Sequence, residues 1–483
     1  MLFFHNINIE LTKNVFSTFK KSHNKHKGTL FPNSFLILRY PVPHFTIFLM
    51  SPSFSFLLSV YIYIFANNMN NLHLDMKLIS YYCLVLVLLG SVSCKACTTR
   101  QDSVSQEIIS VSAQDSIVIT GDARTELYYP FLKGKRVALF GNHTALLPNG
   151  EHIVDKLLRD GQHVTAVFSP EHGFRGTADA GEHVSNSVDV KTGIPILSLY
   201  DGGSNRPSAT SMSKFDVLLV DIQDVGLRFY TYYITMCRLM AACADYGKQV
   251  IILDRPNPNG HLVDGPILNM KYKSGVGWLP IPVLHGMTLG ELAKMAVGKG
   301  WLGTKAECQL VIIPCQNYTH HTLTDIQVPP SPNLPNLRAI YLYPSLCYFE
   351  ATPVSVGRGT DHPFQVYGHP AMKRRTYTFV PESRVGAKNP PLLGKVCQGV
   401  ALTTLSMDSL TTKGIDLSYL IDAYHDLGMG DKFFTSFFEK LIGVSWVRQM
   451  IEQGATADEI KARWQPDVEQ FKKDRREYLL YME

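Results

Sequence analysis

Several common signatures are missing from this sequence. The first strand-like run ends in Gly141-Asn142-His143-Thr144-Ala145-Leu146, which is not a GxGxxG turn, and no P-loop lysine follows it, so no nucleotide cofactor is expected. There is no HExxH, and His143, His172, His183 and His285 match no standard ligand spacing; no catalytic metal and no other cofactor are expected. The CxxC at Cys94–Cys97 has no downstream partner pair, which argues against a zinc site. The later cysteines, Cys237, Cys243, Cys308, Cys315, Cys347 and Cys397, read as small buried apolar residues. No internal repeat or low-complexity array is visible. Nor is there spare charge. The formal net charge is +5, and seven Lys/Arg against two acids before Cys94 account for all of it. A body that is neutral from Cys94 onward has no electrostatic reason to bind nucleic acid.

What is present fits a folded, exported protein. A chain of 483 residues, 45% hydrophobic and 18% charged, suits two or three domains. Met76 opens a segment with one lysine, an apolar run and then small residues up to Cys94. That is the layout of a secretory signal, and the cysteine at its end resembles a bacterial lipoprotein site, in which Cys94 is lipidated. The alternative is an ordinary signal cleaved nearby. Residues 45–65 are uncharged and nearly long enough to span a bilayer. A complete export signal follows them, however, so residues 1–75 read as an upstream extension of the gene call rather than an anchor. The expected organisation is a signal at 76–93, a polar tether at 94–125, a Rossmann-like domain at 126–332 and a smaller α+β domain at 333–483. The expected location is periplasmic or outer-membrane-associated, with the membrane reached only through a lipid anchor.

The fold expectation comes from alternating patterns. Short apolar runs at 136–141, 164–168, 195–199, 215–220, 250–253 and 310–313 alternate with helical spacing at 152–159, 231–246 and 288–297. Such βα units predict an α/β fold with a doubly wound parallel sheet covered on both faces. Val328-Pro-Pro-Ser-Pro-Asn-Leu-Pro-Asn336 blocks helix and ladder alike and marks a boundary. Beyond it, helices are expected at 445–453 and 457–464, broken by Gly454 and Pro466, with a charged amphipathic run over 467–480.

In an open parallel sheet, ligands bind beyond the C-terminal ends of the strands, so the residues after each strand carry the chemistry. Strand two ends in SPEHGFRG, with Glu171 and His172 at a turn bracketed by proline and glycine. A carboxylate there can act as general acid or base; the alternative is a helix-capping turn acid. Strand four ends in DIQDVGLRFYTY, where Asp221, Gln223, Asp224 and Arg228 lie among Phe229, Tyr230 and Tyr232. Flat rings with carboxylates and an amide suit a sugar, although an Asp224–Arg228 pair over core aromatics would look the same. Strand five supplies Asp254, Arg255 and Asn257, then Asp264, in contact with ligand or in a turn network. Past the proline-rich bridge, FEATPVSVGRGT holds Glu350, Arg358 and Thr360. A guanidinium between two glycines suits an anionic oxygen, or alternatively an interdomain salt bridge.

These blocks, in this order from about Leu127 to the terminal LLYME, resemble the exo-β-N-acetylmuramidase family of glycoside hydrolases. The resemblance implies a Rossmann-like domain, a smaller C-terminal domain and an active cleft between them. It implies release of N-acetylmuramic acid from the non-reducing end of peptidoglycan fragments, in cell-wall turnover. It puts the main catalytic acid on Glu171. Asp264 and Glu350 are the candidates for the second carboxylate. Asp264 stands where relatives often carry Glu, and Ala351 and Pro353 depart from the usual Gly and Asn. Two carboxylates are what such a cleavage needs. A non-catalytic muropeptide binder on the same fold is the alternative. For the lactyl carboxylate of the sugar, Arg358 is the expected reader and Arg228 the alternative.

Overall fold

The computed structural model describes residues 117–170, 174–175, 187–199 and 206–483, with the backbone of two short strands further upstream. Those two, β1 (Leu36–Arg39) and β2 (Thr46–Leu49), pair antiparallel within a unit of their own, Met1–Ile109. Everything else described belongs to a second unit, Ser110–Glu483. Glu171, His172, His183, Cys94, the signal and nearly all of the tether lie outside the described residues.

The second unit is built on a seven-stranded sheet. Its strands are β3 (Val137–Gly141), β4 (Val164–Phe168), β5 (Ser187–Val188), β6 (Pro195–Leu197), β7 (Val217–Asp221), β8 (Gln249–Leu253) and β9 (Leu310–Ile313). Their spatial order is β5-β6-β4-β3-β7-β8-β9, and only the edge strand β5 runs antiparallel. Without β5, the chain starts in the middle, winds outward to β6, returns to β7 and winds out the other way. That is the doubly wound pattern, with its reversal between β3 and β7.

Strand alternation explains the two-sided cover. Val137 and Leu139 of β3 join one apolar cluster with Tyr128, Ile153 and Leu157 from the helices Thr125–Leu132 and Ile153–Arg159. Ala138 and Phe140 point the other way and join the cluster of the helices Tyr232–Asp245 and Leu289–Gly298. The start of the latter was legible as a threonine: Thr288 and Glu291 form a reciprocal capping box.

The larger cluster does not stop at the proline-rich segment. It continues through Tyr343, Phe349, Phe364, Phe438 and Trp464, so the parallel sheet and the C-terminal half share one core. That half holds the helix Leu337–Leu346, a three-stranded antiparallel sheet ordered β10 (Val366–His369), β12 (Cys397–Ala401), β11 (Tyr377–Phe379), and several closing helices. One expectation fails here. Pro466 does not break the chain, and a single helix runs Ala457–Arg475 through it. Ile460, Trp464, Val468 and Phe471 are buried on its inner face, while Pro466 and Ala462 face solvent. Ala462, whose carbonyl loses its helical donor, is thus open to solvent, and packing of the apolar stripe outweighs the proline.

The C-terminal tail is pinned to the sheet. The Tyr481 hydroxyl donates to Asp254 Oδ2 at 2.6 Å, and the backbone N–H groups of Leu480 and Tyr481 donate to Glu291. Among the described residues, no helix is long and apolar enough to cross a membrane.

Candidate active site

The reversal between β3 and β7 puts two strand tips side by side. Asn142 and Thr144 follow β3, and Gln223 and Asp224 follow β7. Asn142 is wholly buried; its Oδ1 accepts from the backbone N–H and hydroxyl of Thr144, and its Nδ2 donates to the Tyr232 hydroxyl at 2.9 Å. The Thr144 hydroxyl in turn accepts from the Gln223 backbone N–H. Sequence reasoning passed over Asn142, Thr144 and Tyr343. GNHTAL served there only to exclude a nucleotide, although its place at a strand tip was signal enough. Tyr343 sits in an ordinary apolar helix pattern and carried no signal.

The proline-rich segment docks onto these tips instead of swinging free. Pro330 O accepts from the hydroxyls of Tyr230 at 2.9 Å and Tyr232 at 3.0 Å, and His143 contacts Pro329 O. With the C-terminal half it borders a cleft lined by Phe229, Tyr230, Tyr232, Asn333, Arg358 and Phe364, among others. Phe229 and Phe364 each meet the Tyr343 ring edge-on, at 5.1 and 4.7 Å. The cleft thus joins residues from both halves of the chain, with aromatic rings on its walls.

Glu350 lies on the turn Cys347–Ala351, just after the helix Leu337–Leu346. Its Oε1 accepts from Arg358 Nε at 2.9 Å and lies 2.8 Å from Arg358 Nη2, while Oε2 meets only the Cys347 thiol. Both partners belong to the C-terminal half, so this ion pair is not the interdomain bridge weighed as an alternative. The Arg358 loop is clamped at its base: Ser355 and Gly368 exchange backbone hydrogen bonds, and Phe364 N–H donates to Val356 O. Gly357 and Gly359 have φ of 76° and 79°, and a Cβ on either would strike Val366 or the Glu382 carbonyl. The Thr360 hydroxyl donates to Gly357 O and accepts from His362 N–H, which makes Thr360 a brace of this turn.

Several expected site residues are instead committed to the protein. Arg228 is wholly buried and donates to four carbonyls, those of Pro266, Ile281, Leu441 and Ile442. It ties the β7 tip to the end of the helix Phe437–Ile442, has no face for an anion, and is corrected to a structural strut. Asp264 is corrected likewise. Its Oδ1 accepts from Gly265 N–H and Trp464 Nε1, and its Oδ2 from Ile415 N–H and Lys461 Nζ, which leaves no lone pair for proton transfer. Asp254 accepts from Thr288, Gly290 and Tyr481; burial still pushes its carboxyl up to about 6. Asp221 is held by Arg255, which also reaches Asp122. Asn257 bonds Met287 O and Asn259 N–H. For Asp254, Arg255 and Asn257 the structure therefore matches a turn network better than ligand contact, though Arg255 pairs with Asp221 and Asp122 and not with Asp254. The Gln223 amide donates to Asp224 O and Pro256 O, which fixes the turn.

Asp224 differs from these. Its Oδ1 accepts from Gly226 N–H, but its Oδ2 is buried without a partner, and burial pushes the carboxyl up to about 7. It does not pair with Arg228. A shallow hollow beside it is lined also by Arg255, Pro256 and Asn257. Among the described residues no three His, Cys, Asp or Glu side chains converge as a metal set would. His285 is buried beside Arg475 and Arg228, and desolvation followed by their charge lowers its pKa to about 3.

Comparisons with known proteins follow the same two halves. Residues 137–338 match the family model for the N-terminal part of exo-beta-N-acetylmuramidase NamZ, and residues 341–481 match the model for its C-terminal part. The chain is 35% identical over 415 residues to the peptidoglycan beta-N-acetylmuramidase NamZ of Bacillus subtilis (strain 168), covering 82% of this chain and 97% of that one. A crystal structure of a DUF1343 family protein from Bacteroides fragilis NCTC 9343 is 60% identical, with a TM-score of 0.72, over 76% of this chain and all of that chain. A second DUF1343 protein of the same strain is 27% identical, with a TM-score of 0.62, over 75% of this chain and 99% of its own.

Proposed function

The chain belongs to the exo-β-N-acetylmuramidase NamZ family and is a glycoside hydrolase, and from that premise we propose that it releases N-acetylmuramic acid from the non-reducing end of peptidoglycan fragments. The observation that carries this reading is the match to the Bacillus subtilis enzyme over 97% of that enzyme's length, spanning both halves that wall the cleft.

In this reading, Glu171, which follows β4 in the sequence, is the proton donor to the leaving glycosidic oxygen. Glu350 is the second carboxylate: its Oε1 is held by Arg358, while its Oε2 has only a thiol beside it. Two such groups, one giving a proton and one acting as base or nucleophile, are the minimum for this cleavage. The aromatic walls take the flat faces of the sugar. His172 next to Glu171, and Asp224 at the β7 tip, are the remaining polar groups assigned to substrate. The enzyme works outside the cytoplasm as a lipoprotein anchored at Cys94, in cell-wall turnover; the signal-like segment from Met76 supports this.

The test is product analysis on a peptide-free glycan that begins with N-acetylmuramic acid. Free N-acetylmuramic acid and a chain shorter by one sugar are expected by mass spectrometry. Internal fragments without free monosaccharide would overturn the exo reading, and tight binding without any product would make the protein a binder.

A further inference from the structure

Resting on the reading of the cleft as a muramic acid site, we propose that Arg358 recognises the lactyl carboxylate of the sugar and thereby sets the preference for muramic acid over glucosamine. The two sugars differ by a lactyl ether on O3, and its carboxylate is an anion when no peptide is attached. A site that tells them apart needs a cation that the neutral sugar cannot use.

Arg358 is the only charged side chain among the described residues that line the cleft. Its guanidinium lies over the Phe364 ring, 5.0 Å from the centroid. Glu350 holds Nε and Nη2 through a single oxygen, which fixes the plane of the fork. No described residue accepts from Nη1, so the outer edge of the fork is left for a ligand carboxylate. The clamped loop keeps that edge in place, because both flanking glycines sit where no side chain fits. The other arginines expected near the site are committed: Arg228 to four carbonyls, and Arg255 to Asp221 and Asp122.

The experiment measures kcat/KM of the full chain on two chromogenic β-N-acetylmuramides, one with a free lactyl carboxylate and one with that group as its methyl amide. The readout is the ratio of the two values within each protein, so any loss of folded or catalytically competent enzyme cancels. The wild type is expected to favour the carboxylate at least about tenfold, and Arg358→Gln to lower that ratio by roughly tenfold to a hundredfold. Arg358→Lys, which is the milder change for folding, should also lower the ratio, because an ammonium cannot replace the fork. A wild-type ratio near one, or variants that lose both activities equally, would overturn the proposal while leaving the muramidase reading intact. A wild type that cleaves neither muramide would instead overturn that reading, and this proposal with it.

Discussion

Asp264 and Glu350 carry the same functional group and were open to the same reading, but their surroundings separate them. Asp264 meets four donors, three of them from two distant parts of the chain, and Glu350 meets one guanidinium and one thiol. Residue type was legible in the sequence; the number of partners was not, because Trp464 and Lys461 lie about two hundred positions from Asp264. Asp264→Ala should therefore act on stability. Leaving the Trp464 indole and the Ile415 N–H unpaired should cost about 2–5 kcal/mol, read by denaturant unfolding. Unchanged stability with abolished turnover would return Asp264 to the mechanism. Asp224 gives a pH prediction. Its folded pKa, about 7, lies above the ordinary carboxylate value of 3.8, so the folded state keeps a proton that the unfolded state releases. Its contribution is fully present below about pH 4, declines as pH rises to about 7, and is flat above that. Asp224→Asn, which mimics the neutral form, should gain in Tm relative to wild type between pH 4.5 and pH 8. Parallel Tm profiles would contradict this.

At the scale of elements, strand positions were the most readable feature, because six apolar runs separated by helical spacing leave few other sheets to build. β5 was not readable: two residues at an exposed edge carry no pattern. The helix through Pro466 was misread because a local rule was applied where packing decides. The tail was recognised only as a resemblance, and its role appears in the bonds from Tyr481 to Asp254 and from the Leu480 and Tyr481 amides to Glu291. Deleting residues 480–483 strips partners from two buried carboxylates that do not line the cleft. A loss of several kcal/mol is expected, with substrate preference unchanged in whatever fraction still folds. Full stability in the truncated protein, measured by thermal melting, would show that these contacts do not hold the fold together.

For the whole molecule, the cleft could not be read from either half alone. Strand-tip aromatics, the proline-rich segment and the Gly357-Arg358-Gly359 loop come together because the two halves share one apolar core. The sequence offered each wall separately, and the resemblance supplied their order. The proposed export is also tested on the whole chain. N-terminal mass spectrometry of the native protein should find lipidated Cys94 as the first residue; abundant peptides from upstream of Met76 would contradict that start. The central claim, acid-catalysed release of N-acetylmuramic acid in this cleft, is tested most directly by Glu171→Gln. The exchange is nearly isosteric and removes the proton that the leaving oxygen needs. Turnover of a chromogenic β-N-acetylmuramide should fall by about a hundredfold or more, with the melting temperature unchanged. A folded Glu171→Gln protein that still turns over at the wild-type rate would contradict the account.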